Sequence, residues 1–203
     1  MPCNHKFLDY LHLARIDFEP TTLIIGTFNP GWDNLGNNAE WFYGRTARNY
    51  FWDVLPRIYE DINLRHQTHL EWKQFCARNG IAVTDLLQTI NDADIVNPAH
   101  VDALMGYQDA DIANNFHDFT PVDIVRVLRD HPTINHVYLT RQLGVPFWDN
   151  LWLQVTEYCN QNNITHQTLL TPSASARFQM PGDAGISLRD FIYNSWLPLW
   201  HQL

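Results

Sequence analysis

Thr22-Leu23-Ile24-Ile25-Gly26-Thr27-Phe28 follows a Glu19-Pro20 break and runs apolar without alternation. A strand wetted on one face alternates polar and apolar residues. A strand covered on both faces does not, so this stretch reads as a member of a parallel sheet. It runs into Asn29, Pro30 and Gly31 and opens a polar, glycine-containing loop through Gly44.

Outward from this strand the pattern alternates. Arg48 to Glu60 reads as a helix with Tyr50, Phe51, Val54, Leu55 and Ile58 on one side, kinked by Pro56 or opening at it. Thr68 to Arg78 is a second amphipathic helix, closed by Asn79-Gly80. Ile81 to Leu87 is the second strand, and an Asp-rich excursion of helices and loops follows it. Pro121 to Asp130 reads as a helix stopped at His131-Pro132, His136 to Thr140 as the third strand and Trp148 to Asn160 as the next helix. Thr165 to Thr171 is the fourth strand, and Ser187 to Trp196 the closing helix. Strands separated by helices imply crossovers and an α/β fold: a three-layer α/β/α sandwich around a central, mostly parallel four-stranded sheet, in a single domain over 1–203.

Composition supports a packed domain. The 203 residues are 45% hydrophobic and 17% charged, with 11 Phe, 8 Trp and 8 Tyr, enough burial to offset chain entropy. No apolar run approaches the roughly 20 residues needed to span a bilayer. Met1 to Lys6 does not read as a secretory signal, which makes the cytoplasm the expected compartment. Cys3, Cys76 and Cys159 are too scattered for a disulfide framework or a thiol metal site. The net charge of −9 weighs against nucleic acid, whose phosphates are usually met by Lys and Arg. Residues 81–130, however, hold nine Asp against only Arg126 and Arg129, a local −7 that leaves −2 elsewhere. The expected role of that acidic run is a solvated face, open to a protein partner over 85–130.

In parallel sheets ligands bind beyond the carboxyl ends of the strands. That rule singles out Phe28 to Gly31, Thr84-Asp85 and Thr171 to Arg177. Read as residues alone, each has a structural rival. Asn29 starts a turn before Pro30 as naturally as it binds a ligand, and Asp85 caps a helix at Leu86 as well as it reads a substrate. Ser173 and Ser175 also suit an N-terminal cap, and Tyr43 suits the core. His66 and His69 lie three apart, but nothing beside them completes a metal set, and no cofactor is implied.

The stretch Gly26-Thr27-Phe28-Asn29-Pro30-Gly31-Trp32-Asp33-Asn34, followed by Tyr43-Gly44-Arg45-Thr46-Ala47-Arg48-Asn49-Tyr50-Phe51-Trp52, resembles the uracil-DNA glycosylase superfamily, closest to its mismatch-specific and hypoxanthine-DNA glycosylase branches. Gly26, Asn29, Pro30 and Gly31 resemble the family's first motif with one residue extra, and Arg48 to Trp52 the end of its second. Pro172-Ser173-Ala174-Ser175 resembles the turn after its last strand. Gly44 to Ala47 departs from the family's Ala-His-Pro. Thr171 stands where the uracil enzymes carry a histidine and the mismatch-specific ones an asparagine.

What the resemblance implies is a metal-independent hydrolase of N-glycosidic bonds acting on a modified base in single- or double-stranded DNA. Such an enzyme flips its base out of the stack, places a water under the anomeric carbon and stabilises the leaving base. The implied catalytic residues are Asn29, as a water holder, and Asn49, which serves as the catalytic amide or as a bridge between two loops. Phe28, Tyr43 and Asp85 are the implied base-binding residues, with Phe42 a further stacking candidate. Pro30 and Gly31 would let the backbone approach the base. Arg48, Ser173, Ser175 and Arg177 are the implied phosphate contacts, extended by Arg45. Two alternatives stay open: a binding module of the same fold without catalysis, reading a nucleobase, a nucleotide or a protein partner, and an N-glycosidase on free nucleosides.

Overall fold

The computed structural model describes residues 1–183 and 185–200. In chain order the strands and α-helices are β1 (Cys3–Asn4), β2 (Thr22–Gly26), α1 (Phe51–Glu60), α2 (His69–Arg78), β3 (Ile81–Asp85), β4 (Leu87–Ile90), α3 (Pro98–Met105), α4 (Asp109–Asn115), β5 (Phe119–Pro121), α5 (Ile124–Asp130), β6 (His136–Leu139), α6 (Pro146–Gln161), β7 (Thr165–Thr168) and α7 (Leu188–Trp196). The main sheet has the order β3-β2-β6-β7, and every pairing in it is parallel. Helices flank it, with α1 packed on α7 and α5 on α6, so the expected α/β/α sandwich holds. β2 and β3 are buried at all five positions. β7, at the sheet's edge, alternates exposed and half-buried residues, as an edge strand does.

A second sheet differs from the expectation. β1, β4 and β5 form a three-stranded antiparallel sheet in the order β1-β4-β5. The expected second strand, Ile81 to Leu87, is therefore two strands: the chain leaves the parallel sheet at Leu86 and continues as β4 in the other. Asp85 ends a strand and caps no helix. Pro121 closes β5, and the helix expected to begin there starts at Ile124, where the Asp123 side chain accepts from the Arg126 N–H.

The first helix also starts later than its periodicity suggests, at Phe51. Arg48 and Tyr50 give their backbone groups to another loop, described below, and Asn49 Oδ1 accepts from the Phe51 N–H at 2.9 Å. Pro56 lies in mid-helix. It has no N–H to give the Trp52 carbonyl four residues back, and that carbonyl instead accepts from Leu64 N at 2.8 Å. Thr68 and Glu71 close the reciprocal capping box that starts α2.

Tryptophans fix the packing. Trp52 stacks on Trp72 at 5.0 Å and 3°, and Tyr138 on Trp200 at 4.2 Å and 7°. Three fully buried indoles also donate to backbone carbonyls outside the strands: Trp52 to Phe42 O, Trp148 to Asp109 O and Trp196 to Leu170 O, at 2.9, 2.9 and 2.7 Å. All three cysteines are free and buried. Among the described residues no helix is long and apolar enough to cross a membrane.

Gly31 is where the N-terminal strand meets the first strand-end loop. Its N–H donates to Asn4 O at 2.9 Å, and Lys6 N donates to Asn29 O at 2.8 Å. A Cβ on Gly31 would lie 2.7 Å from Asn4 O. The glycine thus admits the protein's own N-terminal strand, and neither it nor Pro30 lines the cavity described below. Gly31→Ala is expected to destabilise the fold by about 1–3 kcal/mol, the usual cost of overpacking, read from urea or thermal unfolding.

Candidate active site

The loops beyond the carboxyl ends of β2, β3, β6 and β7 enclose a polar cavity of about 390 Å³, within the roughly 300–1,000 Å³ of small-molecule sites. Asn29, Asn49, Phe28, Tyr43, Asp85, Ser173 and Ser175 all line it, so seven of the nine side chains singled out in the sequence converge here. Arg48 and Arg177 do not. Both are exposed on the loops outside the cavity wall.

Asp85 is the buried anion of the site, 5% exposed. Its Oδ2 accepts from His5 Nε2 at 2.7 Å. His5 Nδ1 in turn accepts from the Phe7 N–H at 2.9 Å, which assigns the ring proton to Nε2 and leaves a neutral imidazole donating to the carboxylate. Asp85 Oδ1 lies over Gly26: a Cβ there would be 2.2 Å from it and 3.0 Å from the Tyr43 hydroxyl. Only glycine at position 26 admits both side chains.

Asn29 is 8% exposed. Its Oδ1 accepts from Asn37 Nδ2 at 2.8 Å, and the same amide donates to Pro30 O at 2.9 Å. One lone pair of the Asn29 oxygen is thereby used for positioning and one remains. Asn49 reaches the cavity because two loops are fastened together. Tyr50 N donates to Pro172 O at 2.7 Å, Ala174 N donates to Arg48 O at 2.9 Å, and Asn49 and Ser173 form a β-bridge. Asn49 thus bridges two loops and also faces the cavity. Ser173 carries the capping role as well, and Ser175 lies inside the capped turn: Ser173 Oγ accepts from Ser175 N at 3.3 Å and from Thr171 Oγ1 at 3.0 Å and bonds to the Ser175 hydroxyl.

Tyr43 has a left-handed backbone, φ 56°, an uncommon state for a bulky residue. Its ring stacks on Phe51 at 3.8 Å and 7°, and its hydroxyl bonds to Thr140 Oγ1 at 2.9 Å. Burial and the Asp85 charge push that phenol well above its ordinary range. Phe28 meets His5 edge-on. Phe42 is fully buried, forms no part of the wall and belongs to the core. Arg45 lies over the Tyr107 ring at 3.4 Å and does line the cavity.

Several residues here have no sequence signal. Asp109 belongs to the acidic run read as a solvated face, yet its carboxylate lines the cavity, accepts from Thr27 Oγ1 at 2.7 Å and sits 3.4 Å from Arg141 Nη1. Arg141 is 8% exposed, and its Nη1 has no hydrogen-bond partner among the described residues. Asp85 and Asp109 thus leave the acidic face, while Asp92, Asp102, Asp118, Asp123 and Asp130 remain exposed on it. Phe178, on the turn after Ser175, is 93% exposed. Among the described residues no group of three His, Cys, Asp or Glu could hold a metal, and His69 faces Glu40 at 3.1 Å.

The solution NMR structure of a protein described as a putative uracil DNA glycosylase from Methanosarcina acetivorans superposes with a TM-score of 0.55 over 92% of this chain and 94% of that one, at 14% identity. The likeness is one of fold, and it extends over nearly the whole of both chains. No protein-family model matches the sequence, and no curated protein does.

Removing His5 leaves the Asp85 carboxylate buried without its donor. His5→Phe is expected to cost about 3 kcal/mol in unfolding free energy, the scale of a broken buried pair. Asp85→Asn in that background is expected to recover part of the loss, as a double-mutant cycle would measure.

Proposed function

We propose that this protein hydrolyses the N-glycosidic bond of a deaminated or damaged base turned out of DNA. The observation that carries the reading is the convergence of three separate strand-end motifs on one polar cavity with ample room for a nucleobase. In this reading the anomeric carbon lies above Asn29, whose free amide lone pair orients the water, and the Asn49 amide supplies an N–H to the sugar or departing base. A carboxamide is a poor base, so positioning carries much of the rate.

Asp85 suits a deaminated base for a specific reason. With one oxygen held by His5, the carboxylate offers only acceptors to the cavity. Deamination of cytosine or adenine turns the ring nitrogen of the pairing edge from an acceptor into an N–H donor. Asp85 accepts from the donor and repels the unaltered lone pair. Phe28 and the free side of Tyr43 then form the base's apolar walls.

Ser173, Ser175, Arg45, Arg48 and Arg177 would meet phosphates, the cations from positions on or beside the rim. The exposed Phe178 has the character of a wedge that fills the gap left in a stack by a flipped base. Free, buried thiols suit the reducing cytoplasm, where we place the protein.

Single-turnover assays on oligonucleotides bearing uracil, hypoxanthine or xanthine test the reading. Base release is expected from at least one of them and not from the Asn29→Ala, Asn49→Ala double variant. Equal activity of the two proteins would refute it, and release from inosine or deoxyuridine alone would move the substrate to free nucleosides. Phe178→Ala is expected to slow excision from duplex about tenfold or more while sparing single strands, where no stack has to be refilled.

A further inference from the structure

We propose that the Asp109 carboxylate is the catalytic base that takes the proton from the attacking water, a role that rests on the glycosylase reading above. Asp109 reaches the cavity from α4, far along the chain from any of the recognisable motifs, and two hydrogen bonds fix its position. The Trp148 indole donates to its backbone carbonyl at 2.9 Å. Thr27 Oγ1 donates to its Oδ1 at 2.7 Å, and Thr27 sits between Gly26 and the Phe28-Asn29 pair. The carboxylate therefore lies against the same strand-end turn that carries Asn29.

The bland alternative is that Asp109 is a structural ion-pair partner. It does not cap α4, whose N-cap is Gln108. Its contact with Arg141 is 3.4 Å and lacks hydrogen-bond geometry, since Arg141 Nη1 is unpartnered. A buried guanidinium with an unused donor and a carboxylate with spare acceptors, side by side in a cavity wall, keep hydrogen-bonding capacity for a water that approaches from the cavity. A third of the Asp109 side chain, 32%, is open, so a water can reach it.

The groups facing this carboxylate are Arg141 from the loop after β6, Asp85 from the end of β3 and Tyr43 from the loop before α1. Withdrawal from solvent raises its pKa, against the opposing effects of Arg141 and the Thr27 hydroxyl, and the Asp85 charge adds to the rise. A carboxylate with a raised pKa is a better proton acceptor than an ordinary one.

In the step itself the water oxygen bonds to the anomeric carbon as one of its protons passes to Asp109. The carbon–nitrogen bond breaks and its electron pair leaves on the base. The proton returns through solvent to the base nitrogen, so the products are the free base and a hydroxyl on the sugar.

The test is single-turnover excision across pH 4–9 on the oligonucleotide the wild type cleaves. The wild-type rate is expected to fall about tenfold per pH unit on an acid limb, as one carboxylate protonates. Asp109→Asn is expected to lose at least about 100-fold and to be flat where that limb was. Thr27→Val keeps the carboxylate but removes a donor that favours its charged form, so its limb moves to higher pH, a shift that loss of fold would not produce. Should Asp109→Asn unfold on a melting curve, Thr27→Val alone decides. An Asp109→Asn rate within threefold of wild type on the same limb, or an unmoved limb in Thr27→Val, overturns the assignment while the glycosylase reading stands. Wild-type protein inert on every substrate overturns both, before any variant is made.

Discussion

The site is built around a carboxylate placed where a side chain on the neighbouring strand would normally stand. Asp85 Oδ1 occupies the space a Cβ at Gly26 would need, and Oδ2 requires a buried donor because an unpaired anion there would be costly. His5 supplies that donor, and the Phe7 N–H fixes its tautomer. These bonds bring the N-terminal strand alongside the first strand-end turn, where Gly31 and Asn4 meet. Through β1 they also tie that turn to the antiparallel sheet. One buried charge thus accounts for a glycine, a histidine and the course of the N-terminal segment.

The walls of the cavity are loops, yet they are held much as core elements are. Trp52, Trp148 and Trp196 are buried in the helical layers, and each gives its single indole N–H to a carbonyl next to a cavity residue: Phe42 before Tyr43, Asp109 itself, and Leu170 before Thr171. Tyr43 and Tyr107, both at positive φ, lie in such loops. Backbone strain of this kind persists where the surroundings over-determine a position. Phe51 and Thr140 do so for Tyr43, and Arg45 and Leu35 for Tyr107.

The parallel sheet was legible because doubly covered strands leave unbroken apolar runs, and its strand ends, together with the family resemblance, pointed to seven of the cavity residues. What stayed hidden depends on contacts between distant segments. β1 has two residues and β5 three, too short for a period to register. β4 reads as a continuation of β3 because both are buried, and nothing in Leu86 announces a change of sheet. Asp109 resembles its acidic neighbours until Thr27 and Arg141 are brought beside it. Asn37 and His5 act on Asn29 and Asp85 purely as positioning groups, a task without a motif. Arg48 and Arg177 illustrate the converse: a motif placed them near the site, but the backbone fastening between their loops leaves their side chains outside the wall.

That fastening also sets when the site can exist during synthesis. Arg48, Asn49 and Tyr50 are fastened to the rest of the wall by Pro172, Ser173 and Ala174, and Trp196 holds Leu170 from farther along still. A ribosome-bound chain carrying all of β1 to β6 would possess most of the sheet but no finished pocket. Closure of the cavity is therefore coupled to the last fifth of the polypeptide, and a truncated product would emerge folded in part yet without a complete reaction centre.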